Sequence, residues 1–350
     1  MTDQNKHTPQ EIRPENEEQA EERKKLIEQC KAELTALYRS PSNEAEQFTI
    51  KTQKANLLVE LGLLYLRDTQ ISKARDHLMM AFRLFRELND EKGMASVNGA
   101  LGSLYLAHND HYTAKEYFER AYAYWGKSNY LNEKIVCLRS LGLTHLQLNE
   151  EEEGVTKILD SAKIAAHLDD TAEFLFSMQV LLEHYEKQQE YDVLRELKLK
   201  VLEYWEKHPE YVSRRFKTLV DLGVLSQVLE DYPAALQFFK HAFNIAFQMG
   251  DFEKTYLAQG FIGEVYVQLE KLEQAKSAYL KAFQTSILIG LEEDHHSEKV
   301  ENARLVLKTL GIPEETIKEK EEIAKSERTR IKEELDALRA RQSQNASKND

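Results

Sequence analysis

The chain has 350 residues, and its 60 acidic against 47 basic side chains leave a formal charge of −13. That balance repels a phosphate backbone, and the densest basic cluster, Arg214-Arg215-Phe216-Lys217, is too short to reverse it, so nucleic acid is excluded as the expected partner. At 42% hydrophobic residues there is enough apolar surface for a core, but no run approaches the roughly 18 apolar residues of a membrane span, which excludes membrane insertion.

Met1 to Glu22 is polar and lacks the basic start and apolar stretch of a secretory signal, which points to the cytoplasm. Cys30 and Cys137 are the only cysteines, too few for a disulfide framework or a thiolate zinc site. All six prolines stand at 9, 14, 41, 209, 233 and 313, and the long stretches between them are rich in helix formers. The expected class is all-α.

In chain order, residues 1–15 are expected to be disordered and 16–42 to form an N-terminal capping helix. Asn16 is its N-cap, and Leu26, Ile27, Cys30, Leu34, Leu37 and Tyr38 make its apolar stripe. A repeat follows over 43–292. Leu61-Gly62-Leu63-Leu64-Tyr65-Leu66, Leu101-Gly102-Ser103-Leu104-Tyr105-Leu106 and Leu141-Gly142-Leu143-Thr144-His145-Leu146 recur every 40 residues. Leu181-Leu182-Glu183-His184-Tyr185 keeps the phase without the glycine, and Leu222-Gly223 and Ile262-Gly263-Glu264-Val265-Tyr266 complete six units.

Twelve residues past the glycine stand Ala74, Ala114, Gly154, Leu194, Ala235 and Ala275, and nineteen past it Ala81, Ala121, Ser161, Val201, Ala242 and Ala282. Between them lies a large residue: Leu78, Phe118, Ile158, Lys198, Phe239 or Tyr279. Two antiparallel helices approach closely only where one presents a small residue and the other a bulky one, so this series describes packed helical hairpins.

These motifs resemble the tetratricopeptide repeat family over about residues 50–292. The resemblance implies a right-handed α-solenoid of six hairpins with N- and C-terminal capping helices. The units are longer than the family's usual 34 residues. They are similar to the extended repeats of kinesin light chains, polarity adaptors and Rap-type bacterial regulators, and the turns Leu88-Asn89-Asp90, Leu168-Asp169-Asp170 and Met249-Gly250-Asp251 resemble that branch's Leu-Gly-Asp. Repeat four lacks the small-large-small set and is expected to splay, bending the solenoid near 175–215. Trp125 and Trp205 share a phase and read as packing between repeats.

Past the repeats, 296–312 reads as a C-terminal capping helix through Val300, Ala303, Leu305, Val306 and Leu310. Residues 313–350 form a charged helical tail with a disordered end. Ile317, Ala324, Ile331 and Leu338 recur every seven residues, but their companions Glu321, Arg328 and Leu335 leave only a fragment of a coiled-coil seam. The tail therefore reads as a solvated single helix, with self-association through it as the alternative.

No phosphate loop, His-Glu-x-x-His, Gly-x-Ser-x-Gly or paired cysteine motif occurs, so no enzyme, cofactor or metal is expected. Glu292-Glu293-Asp294-His295-His296 carries metal-ligand types, but adjacent residues rarely converge on one ion and it reads as a polar turn. Glu183-His184 with Glu186 reads as a solvated helix face rather than an acid-base pair.

The resemblance implies a concave groove lined by the first helix of each hairpin, at positions −6, −3, +1 and +4 from the glycine. The partner-binding residues so implied are Asn56, Val59, Leu63, Ser96, Ser103, Arg139, Leu143, Gln179, Glu183, Glu186, Lys217, Gln227 and Glu264. The carboxylate clamp of chaperone co-factors is absent, since Val59 and Leu63 replace its polar residues. The expected function is a non-enzymatic scaffold or adaptor that takes a protein or peptide ligand, with apolar anchors at one end and a basic residue opposite Glu183 and Glu186. The alternative is a Rap-like regulator binding a signal peptide or a response regulator; its family carries a three-helix N-terminal bundle where this chain has one helix before the repeats.

Overall fold

A computed structural model describes residues 17–39, 44–289 and 297–346. The disorder expected of residues 1–15 and 347–350, the N-cap Asn16 and the Glu292–His296 turn lie outside these residues, whereas 342–346, also expected to be disordered, are helical. The described residues form fifteen helices and no strand. They divide into two compact units, 1–181 and 182–350.

The first unit begins with α1 (Glu17–Arg39), followed by α2 (Glu44–Arg67), α3 (Ile71–Glu87), α4 (Glu91–Ala107), α5 (His111–Trp125), α6 (Leu131–Gln147) and α7 (Glu151–His167). The boundary falls inside α8 (Thr171–Gln188). The second unit continues with α9 (Tyr191–Lys207), α10 (Val212–Val228), α11 (Tyr232–Gln248), α12 (Phe252–Gln268), α13 (Leu272–Leu288), α14 (Ser297–Thr309) and α15 (Glu314–Ala346).

The small-large-small series does what its sizes require. A Cβ placed on Gly62, Gly102, Gly142, Gly223 or Gly263 would lie 2.4–2.8 Å from Leu78, Phe118, Ile158, Phe239 or Tyr279 respectively. Ala74, Ala81, Ala114, Ala121, Ala235, Ala242 and Ala275 are fully buried between the paired helices. In repeat four, Leu194 and Val201 are buried, while Lys198 is half-buried and pairs with Asp221 of α10. Ser161, which stands where other repeats have Ala, hydrogen-bonds Ser177 of α8 hydroxyl to hydroxyl at 2.7 Å. Trp125 and Trp205 are both core residues, and the Trp205 indole N–H donates to Thr218 Oγ1 at 3.1 Å.

The turns are equally periodic. Asn89, Asp169 and Gly250 take left-handed φ values of 51°, 55° and 66°. The aspartate that follows each caps the next helix: Asp90 accepts from Gly93 N–H at 2.9 Å, and Asp170 and Asp251 accept from Glu173 and Lys254 N–H at 3.0 Å each. One residue reverses the chain and the next satisfies an orphan donor of the new helix, which is the physical content of the Leu-Gly-Asp resemblance.

Both ends depart from the sequence reading. Of the α1 stripe, Ile27 and Cys30 are buried, but Leu26 and Tyr38 are exposed. On α14 the packed residues are Ala303 and Leu307, with Val300 beside them, whereas Leu305 and Val306 face outward. The expected solvated tail is corrected further. Ile317 and Ala324 of α15 are fully buried in one cluster with Phe283 and Ile287 of α13, Ala303 and Leu307 of α14 and Ile312. Arg304 reinforces the packing by pairing with Glu314 at 3.1 Å and with Glu321. The seven-residue spacing that suggested a seam for another chain is occupied, in its first half, by the protein's own last hairpin.

Candidate functional site

The groove positions come from the first helices α2, α4, α6 and α8 in the first unit. Asn56, Leu63, Ser96 and Gln179 are exposed, Val59, Ser103 and Leu143 are half-buried, and Arg139 is buried. In the second unit Glu183, Glu186, Lys217 and Glu264 are exposed and Gln227 is half-buried. The −6 and +1 positions therefore supply most of the open face. In the first unit the +4 position turns inward, with Leu66 packed against the core and Leu146 buried.

The open face of the first unit is apolar in a particular order. Leu63 at +1 of α2, Val136 at −6 of α6 and Phe176 at −6 of α8 are 39%, 44% and 47% exposed. Between α2 and α6, helix α4 presents only small residues, Ser96, Gly99 and Ser103, and a Cβ on Gly99 would meet nothing within 4 Å. Low ground with apolar flanks suits an extended chain or a helix with apolar anchors.

Two members depart from a free groove wall. The Arg139 guanidinium pairs with Glu173 of α8 and lies 4.1 Å from the centroid of the Phe176 ring, so it holds α6 to α8. Asn56 lines a cleft of about 500 Å³ with Glu33, Ala36 and Leu37 of α1. Spacing assigns a helix face but not the partner that leans on it, so neither contact was legible in the sequence.

In the second unit Val224 and Leu257 are the exposed apolar residues at +1 and −6, and Val267 adds one at +4. Glu264, at +1 of α12, sits near Tyr279. Although part of the Glu264 side chain reaches solvent, partial desolvation of its carboxyl raises it above the ordinary glutamate range, and burial together with that carboxylate pushes the Tyr279 hydroxyl up to about 12. His184 Nε2 lies 3.0 Å from Gln188 Nε2, one turn along the helix.

Among the described residues no group of three His, Cys, Asp or Glu side chains is placed to hold a metal ion. No helix is long and apolar enough to cross a membrane. Cys30 and Cys137 are buried free thiols, and burial pushes Cys137 up to about 12, far from a reactive thiolate.

With this geometry in place, residues 53–127 match one tetratricopeptide repeat model and residues 257–286 another. The chain carries tetratricopeptide repeats. The first match spans the α2–α5 hairpins and the second the α12–α13 hairpin, so repeats of this family stand in both units. Among solved structures, BtubC (BKLC) from P. vanneervenii is 16% identical with a TM-score of 0.48, over 67% of this chain and 92% of its own. The apo form of RapI is 18% identical with a TM-score of 0.43, over 80% and 99%. A Rap protein in complex with Competence and Sporulation Factor is 13% identical with a TM-score of 0.36, over 86% and 97%. No curated protein sequence matches this chain. The repeats make it a protein-interaction scaffold.

Proposed function

We propose that this tetratricopeptide repeat protein is a non-enzymatic cytoplasmic adaptor whose first-helix faces hold a peptide or helix of a partner protein. The observation that carries this reading is the set of exposed apolar side chains at groove positions, Leu63, Val136 and Phe176, around the small residues of α4. Large apolar groups exposed to water at groove positions of one unit leave hydrophobic surface uncovered, and a partner's apolar anchors would cover it. In the second unit, the exposed carboxylates Glu183 and Glu186 favour a basic side chain of the partner.

The test is selection of displayed peptides on the full chain, followed by titration of an enriched peptide. Leu63→Asp and Val136→Asp place a charge on the proposed contact, and each is expected to weaken binding about tenfold, some 1.4 kcal/mol, with the helical spectrum and thermal transition unchanged. The double change Glu183→Lys, Glu186→Lys is expected to weaken only peptides carrying a basic residue. An enriched peptide that binds all these variants as tightly as the parent protein overturns the reading.

A further inference from the structure

The fourth position before the glycine is buried in all six repeats, as Leu58, Asn98, Leu138, Met178, Leu219 and Gln259. Four of these are large and apolar, and two are amides. A cavity opens beside each amide: about 600 Å³ at Asn98, between α3, α4 and α5, and about 260 Å³ at Gln259, between α11, α12 and α13. The two cavities share register. Each has a phenylalanine of the preceding hairpin, Phe82 or Phe243, and a cation on the hairpin's own second helix, Arg120 or Lys281.

The amides differ in one respect. Gln259 Oε1 accepts from the Thr285 hydroxyl at 2.9 Å, whereas the Asn98 side chain, 8% exposed, has no hydrogen-bond partner among the described residues and lines the larger cavity. Leucine occupies this register in three other repeats, whereas here a polar amide lines an open cleft. The amide lies beside Phe82, Met94 and Ala95, in a cleft of the size that holds small ligands, with Glu91, Arg120 and Lys127 also on its lining. At about 100° per residue, Asn98 lies roughly 130° round α4 from the groove positions, so the cavity opens away from the groove.

We propose that this cavity is a second peptide-binding site, independent of the groove, which takes one apolar side chain of a partner together with its adjoining main-chain amide. The side chain packs against Phe82, Met94 and Ala95. The Asn98 amide offers one acceptor and two donors in a plane, the complement of a peptide unit's N–H and C=O.

Blocked amino acids test this directly on the full chain. N-acetyl-L-leucinamide and N-acetyl-L-phenylalaninamide carry the side chain with an amide on either side, and N-acetylglycinamide carries the amides alone. With methyl-labelled methionine, the first two are expected to shift the Met94 resonance saturably in the millimolar range, and the glycine compound is not. Asn98→Leu replaces the amide with the apolar residue of its register and narrows the cleft; it is expected to abolish the shift. Asn98→Ala keeps the space without the amide and is expected to weaken binding about tenfold. The absence of a saturable shift, an equal response to N-acetylglycinamide, or undiminished binding by both Asn98 variants would overturn the proposal.

Discussion

Gly102 and Phe118 meet where α4 and α5 approach most closely, and a Cβ on Gly102 would stand 2.7 Å from Phe118 Cδ1, inside van der Waals contact. Phe118 is buried and cannot swing clear. Gly102→Ala is therefore expected to lose about 2–3 kcal/mol to overpacking while gaining about 1 in helix propensity, a net loss of about 1–2 kcal/mol. Gly99→Ala, three residues earlier on the same helix with nothing near its Cβ, is expected to gain about 0.5–1 kcal/mol. Urea unfolding of the two variants checks the signs, and two shifts of the same sign would contradict the hairpin geometry.

Ile317 is fully buried against the last hairpin, and Ile331, two heptads on, is half-buried. Ile317→Ala is expected to destabilise the second unit by about 2–4 kcal/mol, and Ile331→Ala by under about 1. Hydrogen exchange on α13 and α14 locates the effect. Equal, small effects would return α15 to the status of a solvated tail.

Asp251 caps α12 and also accepts from Lys254 Nζ at 2.6 Å. Burial pushes its carboxyl up, but the Lys254 hydrogen bonds and charge outweigh this and hold it below the ordinary aspartate range. A depressed acid contributes stability that is present above the unfolded-state value of about 3.9 and is lost as pH falls through the folded value. Asp251→Ala is expected to cost about 1 kcal/mol at pH 7, with the difference from the parent protein shrinking at pH 3 or below. Thermal unfolding across that range reads it, and a difference that stays constant would remove the charge from the explanation.

Glu264 has the opposite sign. Its value is raised by burial, so the folded protein binds a proton more readily than the unfolded chain does. The resulting instability grows as pH rises from the unfolded value of about 4.3 through the raised one, and is complete above it. Glu264→Gln is expected to raise Tm at pH 7–8 and to leave it unchanged near pH 3. If the variant is no more stable than the parent at pH 8, the carboxylate is better solvated than this account requires.

The repeat was legible because its signal is size at fixed spacing. Glycine opposite a bulky residue can be read from the sequence alone, and the contacts of Gly62, Gly142, Gly223 and Gly263 with their partners follow it. The groove positions were legible only as a helix face. That Arg139 is tied up by Glu173, and that Leu66 and Leu146 turn inward, depends on the helix alongside, whose distance and tilt no spacing rule contains.

The tail shows the same division. A seven-residue spacing of Ile317 and Ala324 says that one side of α15 will be buried, but not against what. A partner chain, or this chain's own α13 and α14, would satisfy the pattern equally. The Asn98 cavity lies wholly on the tertiary side, since an asparagine within a helix is unremarkable until its neighbours are seen to leave space and offer no hydrogen bond. The sequence by itself determined the class, the hairpins, their phase and their turns, because those rest on contacts at short and regular separations. Which faces remain open was decided only by the packing of whole helices, because exposure depends on everything that comes near a residue and not on the residue alone.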